Sequence, residues 1–314
     1  MQLWGVFATR RTDAVLLLVA IVWGSSYLAA KSATHTLPVL LVLFARYAIS
    51  AIACLALIAS RRRDRRCTRD ETRVGGLLGI TQAAVLVLET YGVAHTSAAN
   101  AGLIISLTIV LTPLLDRTAG SSRRLPPRFF AATGVCLLAV TLLMSGSGFH
   151  APGSGDLLML AAAVVRAAHV ALVGRLTKGR TVRPLQLTAV QTAVGTALFA
   201  VPAVSSLPMT ARIDGTDWGR LVYLALFCSV FAFLAQTWAV QKSSAGRASL
   251  LLGTEPVWAL LAGIGIGGEK FTAVAGLGAA LMVAGTYWGQ NIERVHRTAD
   301  DTEPSSRATA PAGI

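Results

Sequence analysis

The chain has 314 residues, of which 54% are hydrophobic and only 14% are charged, and its mean hydropathy is +0.61. This composition excludes a soluble globular domain. The formal net charge of +13 does not indicate a nucleic-acid-binding protein, because the basic residues lie between long apolar blocks. Each block has about the 20 residues that a helix needs to cross a bilayer.

Ten such blocks follow one another along the chain and leave only short loops between them. They cover residues 13–31, 37–60, 74–93, 97–115, 127–146, 156–175, 184–205, 217–240, 245–267 and 271–290. The blocks are continuously apolar, whereas the strands of a membrane β-barrel would alternate. The sequence therefore predicts an all-α integral membrane protein with ten transmembrane helices.

The basic residues are distributed unevenly between the two ends of these helices. If the N-terminus is internal, 22 of the 28 Lys and Arg residues lie on the internal side. Four lie on the opposite side (Lys31, Arg212, Arg220 and Lys270), and Arg46 and Arg166 lie within predicted spans. This asymmetry places both termini in the cytoplasm by the positive-inside rule.

One hydrophobic stretch occurs twice, 147 residues apart, at 88–110 and 235–257, with seven of 23 positions identical. An internal repeat of membrane helices is typical of transporters whose site lies between the two halves. Each half has five spans, an odd number, so the second must be an inverted copy of the first around a central cavity. The predicted segments are a cytoplasmic N-terminus at 1–12, a first repeat at 13–146, a linker at 147–155, a second repeat at 156–290 and a disordered cytoplasmic tail at 291–314.

Four charged residues lie well inside the predicted spans, away from their ends, and each costs at least about 2.5–3.5 kcal/mol at mid-depth unless it is paired or hydrated. We expect Arg46 and Glu89 to form an intramembrane ion pair that specifies helix packing. Arg166 and Glu255 fall near the midplane, where they either pair with each other or bind substrate. His169 lies on the helix face of Arg166, and it suits either proton handling or a simple hydrogen bond.

Pro256 directly follows Glu255 and removes a backbone donor at mid-depth, which predicts an irregular helix beside the site. In the first copy the equivalent residues are Thr108 and Ile109. There, Pro113 is expected to move the irregularity toward the cytoplasm. The second copy alone is thus predicted to combine the charge with the helix break, while Thr108 and Pro256 help to orient a solute.

Aromatic side chains form a second set of candidates. Trp23 and Tyr27 are one turn apart in the first span, where they either stack on an organic solute or anchor the helix at the interface. Tyr91 and its repeat equivalent Trp238 lie near opposite ends of their spans. They are candidate gates, with ordinary interfacial anchoring as the alternative.

Two segments resemble a known family. The first span has WGSSYLAAK at 23–31, and the last spans have SSAGRASLLLGTEPVWALLAGIGIGGEK at 243–270. These segments resemble the drug/metabolite transporter superfamily, specifically transporters with two EamA-type domains. The chain departs from the family pattern at Ile109, which follows Thr108 and stands where a proline is usual, and at Arg166, where an aromatic residue is common.

The resemblance implies ten helices around a cavity lined mainly by spans 1, 3, 4, 6, 8 and 9. It also implies a bacterial cytoplasmic-membrane secondary transporter that exports small organic metabolites by alternating access. Charges of both signs favour an amino-acid-like solute, with protons as a candidate coupling ion and no cofactor or metal. An efflux pump for lipophilic cations and a non-transporting scaffold remain alternatives, and an enzyme is not expected, because no nucleophile–base pair or metal cluster is recognisable.

Overall fold

The computed structural model describes residues 2–61, 66–96, 98–117, 126–145, 153–243, 245–265 and 272–302. Every regular element among these residues is a helix. Most of the predicted linker, and Gly268 and Glu269 of the family-like segment, lie outside the described residues.

Thirteen α-helices follow in chain order within the described residues. They are α1 (Gln2–Thr36), α2 (Val39–Ser60), α3 (Arg69–His95), α4 (Ala98–Ile105), α5 (Thr108–Arg117), α6 (Pro127–Ser145), α7 (Ser154–Thr177), α8 (Pro184–Ala203), α9 (Gly215–Ala225), α10 (Ala232–Lys242), α11 (Ala245–Leu252), α12 (Glu255–Gly265) and α13 (Ala273–Thr302). A 3₁₀ helix, Val204–Arg212, follows α8, and a π-helical turn, Leu226–Phe231, joins α9 to α10.

In the part of the chain that the structure describes, six helical segments are long and apolar enough to cross a membrane. They are Arg11–Thr36, Val39–Ser60, Arg69–His95, Ser154–Thr177, Pro184–Ala211 and Gly215–Lys242. Large apolar side chains such as Ile52, Leu157 and Val201 are exposed on their surfaces, as expected for residues that face lipid rather than water. The structure therefore confirms an all-helical, multi-pass membrane protein. The predicted disordered tail is wrong over its first part, because α13 continues to Thr302.

The helix break occurs in both copies and at the same place. The α4 and α11 helices end at Ile105 and Leu252, and the next helices begin at Thr108 and Glu255, always 147 residues apart. At both breaks the hydrogen bonds tighten to 3₁₀ type: Leu107 N–H donates to the Ile104 carbonyl (3.1 Å), and its equivalent Thr254 donates to Leu251 (3.2 Å).

The expectation that Pro113 moves the first break toward the cytoplasm was therefore wrong, whereas the second break is the one that has a charged residue, Glu255. Pro113 lies inside α5, one turn beyond the break. Because the first copy breaks without a proline at the equivalent position, Pro256 accompanies the break but is not required for it.

The two breaks pack directly against each other and against α1. A Cβ atom built on Gly253 would overlap the Ile109 side chain, so a larger residue there would require Ile109 to shift. A Cβ on Gly24 would lie 2.7 Å from the Glu255 carbonyl oxygen. These glycines let the backbones of α1, α5 and α12 approach closely, as small residues do in membrane helix packing.

Candidate functional site

A buried cavity lies between the long helices, near the middle of their length. It is lined by Trp23, Ser26, Tyr27, Arg46, Gln82, Val85, Leu86, Glu89, Arg166, His169, Phe233 and Gln236. Its volume of about 30 Å³ has room for about two water molecules. An organic solute needs several hundred Å³, so the cavity is too small to hold one in this conformation.

The two copies of the repeat contribute equivalent positions to this cavity. Four pairs of lining residues match when the copies are aligned from Asp13 with Asp156 and from Leu88 with Ala235. They are Trp23 with Arg166, Ser26 with His169, Leu86 with Phe233, and Glu89 with Gln236. The cavity therefore lies where the two copies face each other, with different chemistry on its two sides.

Arg166 and Glu255 form the ion pair that the sequence allowed. Both terminal nitrogens of Arg166 bond to the Glu255 carboxylate, with Nη1 3.2 Å from Oε2. The Tyr27 hydroxyl donates to the same Oε2 (2.9 Å), and the Trp23 ring lies 4.4 Å from the guanidinium carbon of Arg166. Glu255 is only 2% exposed. Its carboxylate is therefore satisfied by protein groups, because each of its oxygens has a donor.

The predicted pair between Arg46 and Glu89 is wrong. Glu89 instead bonds to Arg166 through Oε1, 3.3 Å from Nη1. Arg46 Nε donates to the Ser229 hydroxyl (2.7 Å), and its Nη2 donates to the Cys228 carbonyl (3.2 Å). Helix depth alone suggested that Arg46 and Glu89 could meet, but it could not show that neutral oxygens lie closer to Arg46.

Those oxygens come from the π-helical turn Leu226–Phe231, which sequence reasoning missed. The wider turn leaves the Cys228 carbonyl free to accept from both Arg46 and the Trp23 indole N–H, the latter at 2.9 Å. Ser229 in turn donates to the Leu224 carbonyl, five residues back (3.1 Å). π-helical turns are frequent at functional sites. No apolar periodicity marks this one in the sequence.

Arg46 and Glu89 retain hydrogen-bonding capacity toward the cavity. Within the described part of the chain, Arg46 Nη1 and Glu89 Oε2 have no protein partner. Of the two carboxylates in the cluster, that of Glu89 is the more exposed, at 15% against 2% for Glu255. The cavity therefore presents one cation and one anion that can still bind something else.

The other predicted residues fall into two groups. His169 lines the cavity, and its Nδ1 is 2.8 Å from the Thr81 hydroxyl, so it makes the hydrogen bond that was one of its two expected roles. Thr108 and Pro256 are buried at the two breaks and are not among the residues that line the cavity. Spans 4 and 9 thus contribute less to the lining than the family resemblance implied.

Tyr91 and Trp238, the predicted gates, also lie outside the cavity lining. The Tyr91 carbonyl is 2.8 Å from His95 Nδ1, and the Lys242 ammonium lies 5.2 Å from the centre of the Trp238 ring. Such contacts at helix ends are typical of interfacial anchors. Their role as gates stays a prediction.

Two polar clasps join the copies at opposite ends of the membrane-spanning part of α1, Arg11–Thr36. At one end, Arg247 in the first turn of α11 makes a bidentate pair with Asp13 (2.8 and 2.6 Å). At the other end, Lys31 donates to the Thr96 carbonyl (3.1 Å), and the Thr96 hydroxyl donates to Asp156. Asp13 and Lys31 are about 27 Å apart along the helix, close to the thickness of the hydrocarbon core.

A third polar contact joins the two copies at the starts of α3 and α8. The Glu71 carboxylate is fully buried, caps the start of α3 at Thr68 (2.8 Å), and accepts from Arg183 Nε (2.7 Å). Arg183 immediately precedes α8, so this pair fixes the start of one helix in each copy against the other.

The sequence profile of the EamA-like transporter family matches this chain twice, over residues 10–145 and 153–288. The chain belongs to the EamA-like transporter family. The resemblance to EamA-type members of the drug/metabolite transporter superfamily is thereby confirmed.

Similar proteins carry the same general description. An uncharacterised transporter of Archaeoglobus fulgidus is 25% identical over 277 residues, which cover 86% of this chain and 83% of that protein. The uncharacterised inner membrane transporter YedA of Escherichia coli K12 is 24% identical, with 85% and 87% coverage. A solved structure described only as a protein crystal structure has a TM-score of 0.72 at 20% identity and covers 90% of this chain and 98% of that one. The protein is thus a multi-pass membrane transporter for small molecules.

Proposed function

We propose that this protein is a secondary transporter that exports an amino-acid-like zwitterion across the bacterial cytoplasmic membrane. The observation that carries the proposal is the pair of opposite charges, Arg46 and Glu89, with bonding capacity left toward one closed cavity. Arg46 would bind the carboxylate of the solute and Glu89 its ammonium group. Charged hydrogen bonds of this kind contribute about 1.5–3 kcal/mol each.

This assignment replaces the one drawn from the sequence, in which Arg166 and Glu255 bind the solute. Those two residues already satisfy each other, and Tyr27 and Trp23 hold them in place. Their part is to position Glu89 through its contact with Arg166 Nη1. An efflux pump for lipophilic cations is disfavoured, because two guanidinium groups line the cavity and would repel a cation.

The architecture in this proposal is ten spans in two inverted repeats, at 13–146 and 156–290, with both termini in the cytoplasm. Two observations support it. The α1 and α7 helices begin at opposite ends of the bundle, since Asp13 and Asp156 lie in the two opposite clasps. The helix breaks repeat at a constant spacing, as duplication of one unit requires.

Alternating access would then consist of breaking one clasp at a time. Both clasps are formed here and the cavity is too small for a solute, so this conformation corresponds to a step of the cycle without bound solute. Protons are the coupling ion in this proposal, because a proton and a substrate ammonium would compete for the same Glu89 carboxylate. Competition for one site is what exchange of two ligands across a membrane needs.

Counterflow in proteoliposomes tests the proposal. Vesicles loaded with a mixture of unlabelled amino acids should take up labelled amino acid through the wild-type protein. Arg46→Gln and Glu89→Gln should each lower the rate about 10- to 100-fold, the equivalent of one charged hydrogen bond. Arg220→Gln is the matched control, since Arg220 pairs with Asp217 away from the cavity. Wild-type rates in both cavity variants would refute the assignment.

A further inference from the structure

Two glutamine side chains face the cavity without partners. Gln82 on α3 and Gln236 on α10 are 5% and 2% exposed, and both line the cavity. No hydrogen bond joins either amide to the described part of the chain, although each has two donor hydrogens and an acceptor oxygen. Buried polar groups are nearly always hydrogen-bonded, so an unpartnered amide in a cavity wall points to a ligand.

The two amides also have defined positions relative to the charges. Gln82 and Glu89 lie on one face of α3, two turns and about 10 Å apart, with Val85 and Leu86 between them. Gln236 is the repeat equivalent of Glu89 and comes from the opposite copy. The cavity lining thus includes two charged side chains, Glu89 and Arg46, and two uncharged amides, Gln82 and Gln236.

We propose that Gln82 and Gln236 form an amide subsite that selects solutes with an uncharged polar side chain, such as a hydroxyl or carboxamide. This inference rests on the proposed function, because it assigns the residues that bind the side chain of the same zwitterionic solute. A polar side chain would supply the partners that both amides lack. An apolar side chain of the same shape would leave them unpaired in the complex, and a site built for hydrogen bonding rejects such analogues strongly.

Isosteric amino acids give a direct test in counterflow. Three pairs differ only by a polar group and its apolar replacement: serine with 2-aminobutyrate, homoserine with norvaline, and glutamine with homoleucine. The wild-type protein should transport at least one polar member about 10-fold faster than its apolar partner. Gln82→Leu and Gln236→Leu should bring that ratio close to one, mainly by lowering the rate of the polar member.

Gln241→Leu is the matched control on the same helix as Gln236. The Gln241 amide donates to the Val182 carbonyl (3.3 Å) and does not line the cavity, so this variant should keep the wild-type ratio. If the wild-type protein transported the polar and the apolar member of all three pairs at nearly equal rates, the inference would be overturned while zwitterion transport stayed intact. No transport of any of the six amino acids would refute the proposed function itself. If the leucine variants do not fold, the wild-type ratio alone decides.

Discussion

The two copies of the repeat have the same backbone conformation at their helix breaks but differ in their side chains. At the breaks the hydrogen bonds are equivalent: Val110 N–H donates to Leu107 and Val257 N–H to Thr254, both at 3.0 Å. The residues that begin the next helix are nevertheless Thr108 in one copy and Glu255 in the other. The repeat therefore determines the shape of the centre, and the substitutions between its copies determine the chemistry.

The same contrast holds along the cavity wall. Where the first copy has Trp23 the second has Arg166, and where the first has Glu89 the second has Gln236. The Trp23 ring stacks on the Arg166 guanidinium. At these equivalent positions, the second copy therefore has a cation and the first copy has the aromatic ring that holds it. A symmetric site would present the same groups on both sides, whereas this cavity has different groups on its two sides.

Replacing Arg166, the cation that distinguishes the second copy, should have the largest effect on stability. Arg166→Gln leaves the carboxylates of Glu255 and Glu89 buried without their shared cation, which should cost about 3–5 kcal/mol of stability. Thermal unfolding in detergent would measure it. The double variant Arg166→Gln, Glu255→Gln should recover much of the loss because it removes both charges of the main pair. Equal stability of the single and double variants would show that the ion pair is not the cause.

Opening the two clasps separately should shift access to opposite sides. Asp13→Asn weakens a bidentate ion pair, and Asp156→Asn weakens a bond to the Thr96 hydroxyl. We expect losses of about 1.5–3 kcal/mol for the first and about 1 kcal/mol for the second. A cysteine at Ser26 in the cavity wall, in a background without other cysteines, would report access to a membrane-impermeant maleimide. Labelling from the same side in both variants would contradict the clasp assignment.

The sequence predicted the helical membrane fold and a cavity between the two copies, but not the hydrogen-bond partners of the residues that line it. Helix length and hydropathy identify spans, and the repeat spacing identifies equivalent positions. Charged residues were found because charges in apolar helices are costly and rare. The pairing of Arg46 was missed because it depends on a carbonyl exposed by the π-helical turn at Cys228. Gln82 and Gln236 were missed because an amide in an apolar helix costs less than a charge and is a weaker signal.

The contact between the two breaks should be sensitive to a single methyl group. Gly253→Ala places a Cβ within 2.2 Å of Ile109, and overpacking of this kind costs about 1–3 kcal/mol. Gly253→Ala combined with Ile109→Val should recover part of that loss by making room. Gly215→Ala is a suitable control, since a Cβ there meets nothing within 4 Å. Equal unfolding temperatures for Gly253→Ala and Gly215→Ala would show that the breaks can separate freely.

Replacing Pro256 should have the smallest effect, although it is the most conspicuous residue of the second break. Its equivalent Ile109 has an N–H that donates to the Ser106 carbonyl (2.9 Å), and that copy breaks all the same. Pro256→Ala should therefore keep the break and gain an N–H that can donate to Gly253, so stability should change by less than about 1 kcal/mol. The unfolding temperature measures the change in stability, and the counterflow rate measures the change in transport. A large loss of transport in a stably folded Pro256→Ala protein would mean that the two breaks are not equivalent, and that the second copy needs its proline for movement.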